Sequence, residues 1–173
     1  MRLQRLATVV GLIAALIAPA TAASAMAPPA RRLDPDAAFL RTAHQGNLAQ
    51  IALGRIAARK AADPRIRRLG ARFAADSEHL DAAVRQVAAS LHVELDTAPN
   101  STVQQGVALY RSTARPGFDR LFLTTQASLH AQAARVIRAE LTDGDEAEVR
   151  QIARGALPIV KRHRAALRTA ARD

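Results

Sequence analysis

Four long runs of this chain place apolar residues at the three-and-four spacing of a helix face, and no run alternates with the period of a strand. That pattern leaves little room for anything but packed helices. Phe39, Ala43, Gly46, Gln50, Leu53 and Ala57 share the first face. Ile66, Leu69, Phe73, Asp76, Leu80, Val84, Val87 and Leu91 share the second. Phe122, Gln126, His130, Ala133, Ile137 and Leu141 share the third, and Val149, Ile152, Ala156, Val160, His163 and Leu167 the fourth. Each stripe contains a polar intruder: Gln50, Asp76, His130 and His163. A polar group on a buried face needs a hydrogen-bond partner or a ligand, so these residues are the candidate site.

The breakers between the runs suit this reading. Asp34-Pro35 and Asp63-Pro64 are N-cap and first-turn signals for helices running to about Lys60 and about Leu91. The short link between them makes the two helices antiparallel neighbours. Residues 92–100 form a longer connection. Ser101 with Gln104 has the form of a capping box for a short helix ending near Ser112. Arg115-Pro116-Gly117 breaks it, and a third long helix is expected from about Phe118 to Leu141. Asp143 with Glu146 marks the start of a fourth, from about Asp145 to Ala171, with Pro158 inside it as an expected kink. The expected fold is all-α: an antiparallel four-helix bundle with a short extra helix in the second-to-third crossover.

The chain has 173 residues, enough for one domain with a true core. Residues 1–25 read as a secretory signal peptide: Arg2 and Arg5, an apolar stretch from Leu6 to Ala18, and the cleavage pattern Ala23-Ser24-Ala25. Residues 26–33 are a Pro-containing lead-in, and residues 34–173 form the bundle domain. The expected location is therefore the periplasm or the exterior, after cleavage near Ala25, with no membrane-spanning segment left. Cysteine is absent, which excludes disulfides, thiolate nucleophiles and cysteinyl metal sites. The net charge is +10, and about +8 without Arg2 and Arg5. The arginines are spread over all four helices, with no Trp and a single Tyr, so nucleic-acid binding is not expected. A solvated basic surface, with peripheral contact to acidic envelope surfaces, is the partner reading.

In an up-down-up-down bundle both hairpin turns lie at one end. On that topology Gln50, Asp76 and His130 share a level ~19–20 Å from that end, and His163 lies ~10 Å deeper, with His44 and Gln126 nearer its level. Imidazole and carboxylate suit a divalent transition metal such as Zn, Fe, Mn or Cu. The candidate metal residues are His130, His163 and Asp76, with Gln50, His79, Gln126 and His44 as secondary contacts. The set is thin beside a di-iron site, which uses several Glu residues and Glu-x-x-His motifs. The nearest motif is Asp76-x-x-His79, and His79 stands ~60° off Asp76. Alternatively, each polar residue is a satisfied core group that only fixes helix register. No nucleophile elbow, phosphate loop or dinucleotide fingerprint is present, so no catalytic residue is assigned, and a catalytic metalloenzyme ranks third, behind a binding module and a structural envelope protein.

Phe118-Asp119 followed by His130, and Leu157-Pro158 followed by His163, resemble the paired signature of an exported bacterial family, the domain-of-unknown-function 4142 family. Asn47 to Gly54 and Phe73 to Asp76 resemble its first- and second-helix motifs, so the resemblance covers roughly Asp34 to Ala170. It implies a ferritin-like bundle and an outer-membrane or periplasmic location. Two positions depart from the family pattern. Gln50 stands where the family has Glu, and Asp76-Ser77 where it has Asp-His. The resemblance thus implies a site that has lost a carboxylate and displaced a histidine.

Overall fold

The computed structural model describes residues 35–172, so the signal peptide, the lead-in and the Asp34 cap lie outside the described residues. The described chain is helical without strands: α1 (Pro35–Lys60), α2 (Pro64–Ser90), α3 (Ser101–Ser112), α4 (Arg115–Asp143) and α5 (Ala147–Ala170). The four long helices pack as a ring in which α1 touches α2, α2 touches α5, α5 touches α4 and α4 touches α1, with α3 against α1 and α4. Among the described residues, no helix is long and apolar enough to cross a membrane.

Three starts follow from local chemistry. The Asp63 carboxylate accepts from Arg65 N at 2.7 Å and caps α2. Asn100, rather than Ser101, caps α3, accepting from Val103 N at 3.0 Å. Helix α4 begins at Arg115, earlier than expected. Pro116 there is a first-turn residue rather than a breaker, because its missing N–H needs no partner at that position.

The hairpin turns are capped by carboxylates from the opposite hairpin. Asp119, in the first turns of α4, accepts from Ala62 N at 3.0 Å and Asp63 N at 2.8 Å in the α1–α2 turn. Asp36, in the first turn of α1, accepts from Asp145 N at 3.0 Å and Glu146 N at 3.1 Å in the α4–α5 turn. The start of α4 is therefore beside one turn and the start of α1 beside the other. The two turns lie at opposite ends, which corrects the up-down-up-down expectation. Helices α2 and α4 run parallel, and the crossover of residues 91–114 returns along the bundle. Asp36 also replaces the expected Asp143–Glu146 capping pair, since α5 starts without a side-chain cap of its own.

Side chains of α1 hold the crossover down. Arg41 Nε donates to the Glu94 carbonyl at 3.2 Å, Gln45 Nε2 donates to the Ala98 carbonyl at 3.2 Å, and Gln45 Oε1 accepts from Asn100 N at 2.9 Å. The α1–α2 contact is close because Gly54 and Gly70 face each other. A Cβ on Gly54 would lie 2.5 Å from the Gly70 carbonyl oxygen, and one on Gly70 would lie 2.7 Å from that of Gly54.

Apolar packing falls into two clusters. One gathers Leu53, Phe73, Tyr110, Phe118 and Phe122 towards the α1–α2 turn. The other gathers Leu40, Val84, Ile137, Val149 and Val160 towards the α4–α5 turn. Each fully buried Leu or Phe contributes ~1.5–3 kcal/mol of burial. Along α4 and α5, His130 and His163 fall between these two clusters.

Candidate functional site

Helix α4 supplies His130, which is 3% exposed, and α5 supplies His163, which is 4% exposed. Both rings lean on Phe73 of α2, with centroids at 4.7 and 4.3 Å. The hydrogen bonds run in one line. His130 Nδ1 donates to the Gln126 carbonyl at 2.9 Å, which leaves Nε2 as the acceptor of the neutral ring. His163 Nδ1, at 3.0 Å, therefore donates to His130 Nε2. His163 Nε2 lies 2.7 Å from Asp76 Oδ2, and Arg72 Nε approaches the same carboxylate oxygen at 3.7 Å. The chain Asp76–His163–His130 thus ties α2, α5 and α4 together.

Burial sets the electrostatics. It lowers the His130 pKa to about 4, so this imidazole is neutral near pH 7. Burial also lowers that of His163, while the Asp76 carboxylate opposes the shift. The proton between His163 and Asp76 is contested by these two effects.

The chain closes one side of a partly open cavity of about 90 Å³. Phe39, Ala43, Leu80, Val84, Ala133, Ile137, Ala156 and Val160 give it apolar walls. Its polar lining is Thr42, Asn47, Gln50, Ser77, His130 and His163. Gln50 Oε1 is buried and has no hydrogen-bond partner among the described residues.

The other candidates are dispersed. His44 is buried in a separate network: Nδ1 lies 2.7 Å from Asp81 Oδ1 and Nε2 lies 2.9 Å from the Asp96 carbonyl. His79 is exposed. Gln126 is fully buried and donates through Nε2 to the Tyr110 hydroxyl at 3.5 Å, while its Oε1 lacks a partner among the described residues. Tyr110 in turn bonds Thr125, and burial pushes its hydroxyl up to about 12.

The expected levels need correction. His163 touches both His130 and Asp76 instead of lying deeper, and Gln126 lies one turn from His130 on the side of the α1–α2 turn. The cause is the reversed second hairpin. His130 is near the middle of α4, so its level is nearly the same counted from either end. His163 is off-centre in α5 and takes the full error. Counted from the α4–α5 end, His163 lies ~24 Å along a bundle ~40 Å long, and so ~16 Å from the end where Asp76 is ~18 Å in.

The buried face of α2 also runs differently. It passes through Ile66, Gly70, Phe73, Ser77, Asp81 and Val84, leaving Asp76 half-buried at its edge. Spacing by Leu and Val missed Asp81 and Gln45. The available signal was the row of small residues at Gly54, Gly70, Ala74 and Ser77, which lets α1 approach closely there.

Asp76 and His130 hold opposite nitrogens of the His163 ring, so the three candidate metal residues do not converge on a point. Among the described residues, no group of three or more His, Cys, Asp or Glu side chains is placed to hold a metal ion. A di-iron carboxylate set does not fit this interior, whose cavity lining contains no Asp or Glu.

Fold and site define a helical bundle with a buried imidazole pair at the side of an apolar cavity. The chain belongs to the family described as Domain of unknown function (DUF4142), whose model matches residues 19–170. No curated protein and no solved structure matches the chain.

Proposed function

We propose that this chain is an exported, non-catalytic, ferritin-like bundle protein that binds a small ligand in the cavity between its helices. One observation carries the reading: a cavity of about 90 Å³ with mostly apolar walls also has Thr42, Asn47, Gln50, Ser77 and the His130–His163 pair in its lining. An apolar cavity with a few convergent polar groups is the usual form of a small-molecule site. The single long crossover supports the ferritin-like assignment. Export is supported by the pattern of residues 1–25. Exposed Arg154, Lys161, Arg162 and Arg168 on α5 form no ion pair among the described residues, which supports peripheral contact with an acidic envelope surface.

The test is cavity filling. Ala156→Leu should abolish the NMR shifts that small apolar probes induce in cavity methyl groups. Probe binding unchanged by that substitution, or no probe binding by the wild-type chain, would reject the cavity as a site. The interior polar residues would then serve helix packing alone.

A second reading rests on the ring orientations. Metal-binding histidines commonly hold the outer ring nitrogen on a carboxylate or a backbone carbonyl. Asp76 and the Gln126 carbonyl hold His163 and His130 in that way. A divalent transition metal would replace the proton between the two inner nitrogens, with Asp76 orienting rather than ligating. At their 3.0 Å separation, metal–nitrogen bonds of ~2.0–2.1 Å require each ring to turn by roughly 45°. Equilibrium dialysis against Zn, Cu, Fe or Mn tests this: stoichiometric metal lost in both His130→Ala and His163→Ala supports it, and metal-free wild type rejects it.

A further inference from the structure

The two hairpins carry their charges differently. On α1 and α2, Arg55, Arg65, Arg72 and Arg85 each meet a carboxylate at 2.7–3.7 Å. On the second hairpin, α5 has no Asp or Glu from Val149 to Arg172, and α4 has none from Arg120 to Ala139. Arg154, Lys161, Arg164 and Arg168 form no ion pair and no side-chain hydrogen bond among the described residues. At ~100° per residue these four share a stripe ~80° wide along α5. The helix macrodipole favours a cation in the last turn, which accounts for Arg168, but Arg154 and Lys161 stand in mid-helix.

The stripe borders an open groove of about 300 Å³ between α4 and α5. Arg164 and Arg168 line it together with Leu123 and Ala127 of α4 and Leu167 and Ala171 at the end of α5. Arg164 is half-buried and still has no counter-charge. A dry cavity of ~150 Å³ takes a benzene ring, so the groove has room for part of an acyl chain. A free anion would satisfy the arginines and leave the apolar lining wet. A neutral lipid would cover the lining and leave the arginines unpaired. An anionic amphiphile matches both, and basic residues beside apolar surface are the usual means of meeting acidic lipid.

We propose that the α4–α5 groove seats an acidic phospholipid, its anionic headgroup on Arg164 and Arg168 and the start of an acyl chain against Leu123 and Leu167. This inference rests on the reading of α5 as the helix that meets an acidic envelope surface.

Three soluble probes separate the contributions: dihexanoyl phosphatidylglycerol, dihexanoyl phosphatidylcholine and glycerol phosphate. Each is titrated into the full chain below its micelle-forming concentration while the methyl resonances of Leu123, Ala127 and Leu167 are followed by NMR. The phosphatidylglycerol should bind at least about tenfold tighter than either of the others. Arg164→Gln with Arg168→Gln should weaken it by about tenfold or more, with the methyls of Val84 and Ile137 unmoved as a check on the fold. Equal binding of the phosphatidylcholine overturns the charge requirement, and equal binding of glycerol phosphate overturns the lipid assignment. A short DNA duplex that shifts the amides of Arg164 and Arg168 more strongly than any lipid overturns it as well. No response of the groove methyls to any probe, with the chain still held more tightly by phosphatidylglycerol than by phosphatidylcholine vesicles, overturns the groove and leaves the surface contact standing. No response and no vesicle preference overturns both.

Discussion

His44 and His163 each rest one ring nitrogen on an aspartate oxygen at 2.7 Å, yet their second nitrogens face different chemistry. The second nitrogen of His44 meets a carbonyl oxygen, so both of its nitrogens face oxygen acceptors and the network ends there. That network pins the crossover to α1 and α2, and His44 does not line the cavity. The second nitrogen of His163 meets another imidazole, and both rings line a cavity. An Asp–His contact is therefore no mark of a site by itself. The two regions differ in the cavity beside one of them.

The largest expected effect breaks the closed network. Asp81→Ala leaves His44 buried without its carboxylate, where both side chains are less than a tenth exposed. The expected loss is about 3–5 kcal/mol by chemical denaturation. A loss below about 1 kcal/mol would show that the pair does not hold the crossover.

The next effect belongs to the open network and to pH. His130 has a pKa of about 4 in the folded protein and an ordinary value of 6.5. Between those values the unfolded chain binds the extra proton and the folded chain does not. Stability from this group is therefore complete above about pH 6.5 and falls by about 3 kcal/mol as the pH drops towards 4. Denaturation curves at several pH values should show this slope in the wild type and a flatter one in His130→Gln. Equal slopes would remove the assignment to His130.

Asp76→Asn should cost less than Asp81→Ala, about 1 kcal/mol, because the Asp76 side chain is 28% exposed. It should also move the His163 titration further down, since the carboxylate supports the charged imidazole. Ring-proton NMR reads that shift, and an upward movement would contradict the contact. The smallest expected effect comes from His92, a histidine in neither network. It follows α2 with a φ of 55°, while Val93 N closes the helix on the Ala88 carbonyl at 2.8 Å. His92→Gly should stabilise the chain by about 0.5 kcal/mol, read as a small rise in Tm.

Much of this arrangement was legible in the residues. The limits of α1, α2 and α3 follow from Asp-Pro starts and polar breaks. His130 and His163 stand out because imidazoles interrupt otherwise apolar stripes. Asp81 and Gln45 were not legible, because their burial depends on how closely α1 and α2 approach. That distance is set by Gly54 and Gly70 meeting face to face. Hydropathy weights large apolar residues, whereas the closest helix contact runs through the smallest ones. Asp36 and Asp119 sit in the first turns of α1 and α4, and only the fold brings each to the other hairpin's turn.

The sequence by itself determined the helices, the bundle class and the two histidines, because helix period and capping are local properties of neighbouring residues. The tertiary structure decided the direction of the second hairpin, and with it the meeting of His163 with His130 and Asp76. A crossover that contains its own helix is long enough either to turn back at once or to run the length of the bundle. Contacts between distant residues choose between those paths, and no local spacing records the choice.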